Sequence, residues 1–364
     1  MLLIRLVFCF TLSLFTASGI FSQSYVPVFP NLTGELLLDS VVWKFKPLTV
    51  LNYGAARDTM YGRIYNVNDS VYCVYSGHKL YLPPGADPTE ALYLNGSQDG
   101  INNEHTWPQS FGAEFGNPQS DMHHLFPARA AVNDARGNLP FAEIPDNQTE
   151  KWYYLNQSQT TIPGASIIDR YSEKTDAFFE PREDHKGNVA RAMFYFYTMY
   201  RNEADNANPD YFWDQRATFC QWHYADPVDQ LEYDRTWMIA HYQNQRPNPY
   251  VIDCSLVARA WCEDMPGECA ELPLSVHPSP TDNSYVINPN PTTGLTSLRF
   301  TIENTADIEL SIYDNNGSLI SQLPVRQFNA GTNEIGLDFP YPGVFMIRII
   351  QDNKWLIIRK VIRL

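Results

Sequence analysis

Asn103-Glu104-His105-Thr106-Trp107-Pro108, and then Asp121-Met122-His123-His124-Leu125-Phe126-Pro127 running on to Arg136, is the stretch that decides the fold of the central part of this chain. Upstream, Pro83-Pro84-Gly85 and Asn95-Gly96 mark turns, so the residues reaching Glu104 enter a strand, or its edge, from a loop. Downstream, the pattern predicts a helix over Ala128 to Arg136, starting after Pro127 and stopping at Gly137-Asn138. Its faces separate. Ala128, Ala131, Val132 and Ala135 fall on one side, and Arg129, Asn133 and Arg136 follow i, i+4, i+7 on the other.

The same stretch holds the residues best suited to chemistry. Hydrolysing a phosphodiester at neutral pH needs a base for the attacking water, and an imidazole with an ordinary pKa of about 6.5 suits that task. It also needs a hard cation on the phosphate, which Glu and Asn oxygens completed by water would hold. Successive side chains of an extended segment point apart, so Glu104 can address metal while His105 addresses water. The competing reading of an isolated Glu-His or His-His dipeptide is a surface accident or a satisfied core histidine. Zinc on His123 and His124 is disfavoured, because adjacent residues do not easily converge on one ion and no His-Glu-x-x-His string occurs.

Working outward, residues 1–22 read as a signal peptide: Arg5, a short apolar run from Leu6 to Phe15, then small residues. The run is shorter than the roughly 20 residues that span a bilayer. Residues 23–270 form the main domain, with few strands and several helices. One runs from Gly187 to Tyr200 with Val189, Ala192, Met193, Phe196 and Tyr200 as a core-facing stripe. Another starts at Asp226 with Pro227 at its first position and Leu231, Met238 and Tyr242 facing the core. A last piece covers Ser255 to Glu263. Residues 271–290, punctuated by Pro273, Pro278, Pro280 and Pro289, read as a linker. Residues 291–364 carry short β-branched runs between Asn-Gly, Pro and Gly turns, the pattern of a small β-sandwich. The fold class is α+β.

The 364 residues are 44% hydrophobic and 18% charged, far from the composition of a disordered chain. The net charge of −15 excludes binding of nucleic acid through a broad basic surface, so any such site must be local. Beyond Cys9 there are Cys73, Cys220, Cys254, Cys262 and Cys269, an odd set in which export allows disulfides and at least one thiol stays unpaired.

Four blocks, namely Asn103 to Pro108, Asp121 to Asn138, Lys186 to Ala192 and Asn244 to Asp253, occur in the order found in the bacterial endonuclease I family, and the chain resembles that family from about Tyr53 to Cys262. The resemblance implies a His-Me finger (ββα-metal) nuclease core. It implies His105 as general base, and Glu104 and Asn133 as ligands of one Mg²⁺, with Mn²⁺ or Ca²⁺ as substitutes. Asp121 and His123 match the family's Asp-x-His segment and are expected to brace the finger. Arg136, and with it Arg129, is the candidate for holding substrate phosphate; the competing reading of both is a solvated helix face. Some family members place a phosphate-binding arginine between the Glu-His and Asp-x-His segments, yet Phe111 to Ser120 contains no Arg or Lys. Arg191 is a substitute for that role, although a structural part in its helix is favoured. Trp107, Arg129, Arg136, Lys151, Arg182, Lys186 and Arg191 are the residues from which a local patch would be assembled.

The C-terminal segment, through Asn288-Pro289-Asn290-Pro291, Ile312 to Gly317, Gly343-Val344-Phe345 and Lys360-Val361, resembles the sorting domain of the type IX secretion system. The expectation is a secreted or cell-surface monomeric nuclease acting on DNA, and on RNA as a further substrate, with the secretion machinery as second partner. The rival expectations are an inactive binding or adhesion protein on a nuclease scaffold, and a zinc hydrolase of a non-nucleic substrate.

Overall fold

The computed structural model describes residues 27–270, 285–302, 305–314, 319–351 and 355–364. The signal peptide and most of the linker lie outside the described residues. The chain divides into two units, Met1–Leu274 and Ser275–Leu364. Among the described residues no helix is long and apolar enough to cross a membrane.

Unit 1 begins with α1 (Gly34–Phe45) and α2 (Tyr53–Thr59), the latter capped by Asn52, whose side chain accepts from the Ala55 amide. A hairpin of β1 (Ser70–Tyr72) and β2 (Lys79–Tyr81) and the short α3 (Pro88–Tyr93) lead to β3 (Ile101–His105). After α4 (Asn117–Ser120), β4 (Leu125–Arg129) returns antiparallel to β3, pairing Glu104 with Phe126 and His105 with Leu125. Helix α5 (Ala130–Arg136) follows with no intervening loop. Two antiparallel strands closed by a helix make a ββα unit, and it carries Glu104, His105 and Asn133 together. The helix starts two residues later than the sequence predicts, because Ala128 and Arg129 still pair with Asn102 and Ile101.

Next comes a sheet that the sequence did not signal. Strands β5 (Lys151–Tyr154), β6 (Gln157–Gln159), β7 (Ser172–Lys174) and β8 (Phe179–Glu180) lie in the order β6-β5-β7-β8. Each has four residues or fewer, too few for alternation to be legible.

The core is built on α6 (Lys186–Met199). Where the sequence predicts one apolar stripe, every residue but Asn188 is buried, because α8 (Arg216–Ala225), α1 and α10 (Pro249–Ile252) pack round it. Its polar groups are paired inside: Arg191 makes a bidentate pair with Glu232, and Tyr195 donates to Asp121. Helix α7 (Arg201–Ala207) follows α6 directly. Helix α9 (Gln230–Tyr242) is capped by Asp229, which accepts from the Glu232 amide, and not by Asp226. Asp229 stands three residues before a Glu, the spacing of a capping box, whereas Asp226 accepts from the Gly187 amide at the start of α6. With the start moved, Leu231 points outward and is exposed, while Met238 and Tyr242 pack on the core. Helix α11 (Ser255–Ala260) ends the unit.

Two disulfides, Cys220–Cys262 and Cys254–Cys269, tie α8 and the end of the unit together, and Cys73 is the buried free thiol. The first closes a span of 42 residues. Chain entropy then gives it about 4 kcal/mol of stabilisation. Cys220→Ala/Cys262→Ala is expected to lower the denaturation midpoint of unit 1 accordingly, read by tryptophan fluorescence in urea; an unchanged midpoint would show the pairing to be wrong.

Unit 2 is a sandwich. One sheet has the order β13-β10-β9, from β9 (Tyr285–Asn288), β10 (Thr296–Ile302) and β13 (Gly331–Leu337). The other has the order β12-β11-β14-β15, from β11 (Ala306–Asp314), β12 (Leu319–Phe328), β14 (Gly343–Gln351) and β15 (Trp355–Arg363). Leu298, Phe300 and Ile302 meet Ile308, Leu310, Phe345 and Ile347 in its core. The first strand falls inside the segment read as linker: Tyr285 is buried and stacks on Phe300, so the domain begins before residue 291.

Candidate active site

Strand β3 delivers Glu104 and His105 to the ββα unit as neighbours. Glu104 is buried; its Oε1 accepts from the Tyr75 hydroxyl at 2.8 Å and lies 3.3 Å from Arg136 Nη1. Burial raises its pKa, and Arg136 and Tyr75 pull it back.

His105 is fixed by a bond from Nε2 to the Gln119 carbonyl at 2.9 Å. A carbonyl only accepts, so Nε2 carries the proton and the neutral ring keeps its lone pair on Nδ1. Burial, and then the adjacent His124, lower the His105 pKa to about 3. The imidazole therefore stands neutral across the physiological range. Its ring lies 5.6 Å from that of Tyr53 and 5.5 Å from that of His124.

Asn133 sits within α5, and its Oδ1 is buried with no hydrogen-bond partner among the described residues. A buried amide oxygen without a donor is costly, and a cation removes that cost. No group of three or more His, Cys, Asp or Glu capable of holding a metal occurs among the described residues. One Glu and one Asn completed by water need no such group, and this donor set fits a hard cation better than zinc. His123 and His124 direct Nε2 to the carbonyls of Arg246 and Pro118, at 2.9 and 2.7 Å, and both side chains are fully buried.

Asp121 is fully buried. Its Oδ2 accepts from Tyr195 and Tyr200, both at 2.8 Å, and its Oδ1 accepts from Gln243 Nε2 and from the His123 amide. Arg235 secures the same turn by donating to the carbonyls of Met122 and Leu125.

The predicted phosphate contacts are corrected by the structure. Arg136 does not face solvent: it is 1% exposed, donates to the His105, Thr106 and Gly137 carbonyls, and lies over Phe141. The side of α5 opposite the alanines faces the β3 end. Arg129 belongs to β4 and pairs with Asp99 through Nε and Nη2. Arg191 is held by Glu232, Arg182 by Asp184, and Lys186 by Glu143, Glu180 and Glu183. Trp107 is buried against Phe196. The expected basic patch is therefore not assembled from these residues. Sequence reasoning missed Tyr75 and Gln243, which have no local pattern, and Tyr53, whose helix could have been found from the Asn52 cap.

Four buried histidines besides the base contribute to the pH response of the fold. Burial lowers His123 and His124 to about 4, and His185 and His223 to about 3. Their folded pKa values lie below the unfolded value of about 6.5, so their contribution is intact above that pH and is lost as pH falls toward 4. Burial acts oppositely on Glu173, raised to about 7, on Asp226, raised to about 6, and on Glu180, also raised; their contribution is present at low pH and lost as pH rises. With His105 and Glu104 included, five buried histidines with lowered values stand against four raised carboxylates. Stability in EDTA is expected to fall by on the order of 2 kcal/mol per pH unit between about pH 6 and 4.5. Urea titrations across that range check it, and a flat profile would contradict it.

Residues 286–363 match the Secretion system C-terminal sorting domain. The extracellular ribonuclease of Bacillus subtilis (strain 168) is 32% identical over 181 residues, covering 43% of this chain and 53% of that protein. The extracellular ribonuclease of Bacillus amyloliquefaciens is 33% identical over 172 residues, covering 43% and 52%. The chain spans about half the length of these curated relatives. A likeness to the soluble domain of PmoD from Methylocystis sp. covers 20% of this chain and 75% of that one at 19% identity, with a TM-score of 0.17, and carries no argument. Residues 45–254, which contain the whole ββα unit, match Endonuclease I, and the chain belongs to that family.

Proposed function

We propose that this protein is an exported, metal-dependent endonuclease that hydrolyses phosphodiester bonds of RNA and DNA with little sequence selection. The observation that carries the reading is the bond from His105 Nε2 to the Gln119 carbonyl. It holds the imidazole in the tautomer that accepts a proton at Nδ1.

His105 takes a proton from the attacking water at that atom. Glu104 and Asn133 would hold a hard divalent ion, Mg²⁺ or its substitutes Mn²⁺ and Ca²⁺, which when bound would supply positive charge to the phosphate and the departing oxygen. Tyr75 fixes the Glu104 carboxylate by donating to Oε1. Arg136 anchors the end of β3 through the His105 and Thr106 carbonyls. A water nucleophile needs no 2′-hydroxyl, so the same residues serve RNA and DNA; the names of the Bacillus relatives make RNA the first substrate to try. The C-terminal sandwich is an address read by the secretion machinery, which places the nuclease outside the cell or on its surface.

Single-stranded RNA and plasmid DNA are incubated with the purified full chain in Mg²⁺ and in EDTA. Cleavage of both polymers in Mg²⁺ and of neither in EDTA is expected. Cleavage of RNA alone would point to attack by the 2′-hydroxyl, and cleavage surviving EDTA would remove the metal from the reading.

A further inference from the structure

We propose that Arg57 is the side chain that binds substrate phosphate beside His105. The inference rests on the nuclease reading above and adds a residue to it.

Tyr53 and Arg57 stand one helical turn apart on α2, the i, i+4 spacing that puts them on one face. The guanidinium carbon lies 5.0 Å from the centroid of the Tyr53 ring, which in turn lies 5.6 Å from the ring of His105. Two ring contacts in series thus connect the cation to the base. The platform between them is anchored, since Tyr53 Oη accepts from Asn103 Nδ2 at 3.4 Å and Asn103 is two residues before His105 on β3.

The second observation is the electrostatic state of Arg57. Among the described residues its side chain makes no ion pair and no hydrogen bond, and its Nε is buried without an acceptor. The adjacent carboxylate forms no ion pair with it among the described residues, and Asp58 Oδ1 accepts from the Thr89 hydroxyl at 2.6 Å and from its amide at 3.3 Å. The other arginines that the sequence nominated are neutralised: Arg136 by Glu104, Arg129 by Asp99, Arg191 by Glu232 and Arg182 by Asp184. On a chain with a net charge of −15, a guanidinium joined to the base through one aromatic ring, and without an ion pair among the described residues, is an open position for an anion. A phosphodiester supplies oxygen acceptors that match the planar fork of an arginine. The contact with the Tyr53 ring holds the guanidinium without using a hydrogen-bond donor.

The test uses Arg57→Gln and Arg57→Lys in the full chain, with a single-stranded RNA oligonucleotide as probe. Binding is measured in EDTA over a range of salt, and cleavage kinetics in Mg²⁺. Arg57→Gln is expected to lower the slope of log K against log[salt] by about 0.7, the value of one phosphate contact on a single strand. It is also expected to reduce kcat/KM by about 10- to 100-fold, mainly through KM. Arg57→Lys restores the slope, since the charge returns, but not the full kcat/KM, since the fork does not. Wild-type cleavage accompanied by an unchanged salt slope and kcat/KM in Arg57→Gln would overturn the inference while leaving the nuclease reading standing. Failure of the wild type to bind or cleave would overturn that reading and the inference with it. Should Arg57→Gln not fold, the Lys variant decides: full kcat/KM in Arg57→Lys would overturn bidentate phosphate binding.

Discussion

His105→Ala is expected to lower the rate of phosphodiester cleavage by about 10²- to 10⁴-fold at neutral pH, the loss that follows removal of a positioned general base. The reason lies in how the ring is held. Its Nε2 is committed to the Gln119 carbonyl, so Nδ1 is the nitrogen left to accept a proton. The variant also loses one hydrogen bond and some ring packing, about 1–3 kcal/mol of stability, which two disulfides and a large core tolerate. Two readouts separate loss of the base from loss of the fold. Added imidazole should recover part of the rate, and Mg²⁺ binding followed by calorimetry should persist because Glu104 and Asn133 remain. Cleavage unchanged in His105→Ala would place the base elsewhere. A lost rate with no rescue and no metal binding would mean that the substitution had collapsed the site.

The residues proposed to do the chemistry were legible because each step needs a particular kind of side chain. The base His105 and the carboxylate Glu104 stand out even without knowledge of their contacts, whereas the choice of Asn133 and the ββα unit rest mainly on the resemblance to the endonuclease I family. Their partners were not legible. Tyr75 lies 29 residues before the carboxylate that it steadies, and Tyr195 and Tyr200 lie 74 and 79 residues from Asp121. Contacts at that range leave no local pattern. The arginines failed for a more specific reason. Placing Arg129 and Arg136 opposite the alanines assumed that the far side of α5 is water, whereas β4 claims Arg129 and the end of β3 lies against Arg136. The period of α6 was visible, but not that neighbours would cover its whole circumference.

Arg136→Met is expected to cost about 3–5 kcal/mol and to abolish metal-dependent cleavage, although Arg136 is not a phosphate contact. The guanidinium is buried and faces Glu104 at 3.3 Å, so removing it leaves a buried carboxylate whose pKa burial already raises. Without its cation, Glu104 is held protonated to higher pH and becomes a poorer ligand for a hard metal. The bonds to the His105 and Thr106 carbonyls disappear with it, so the end of β3 that carries both functional side chains loses its anchor. The ion pair and the anchor make separate contributions, and a thermodynamic cycle distinguishes them. Glu104→Gln/Arg136→Met should recover part of the stability lost in Arg136→Met, because no unpaired charge remains, while staying inactive for want of the carboxylate. Urea midpoints of the two single variants and the double, with Mg²⁺-dependent cleavage of RNA, provide the measurement. If the losses simply add, the pair is uncoupled and Arg136 acts only through the backbone of β3.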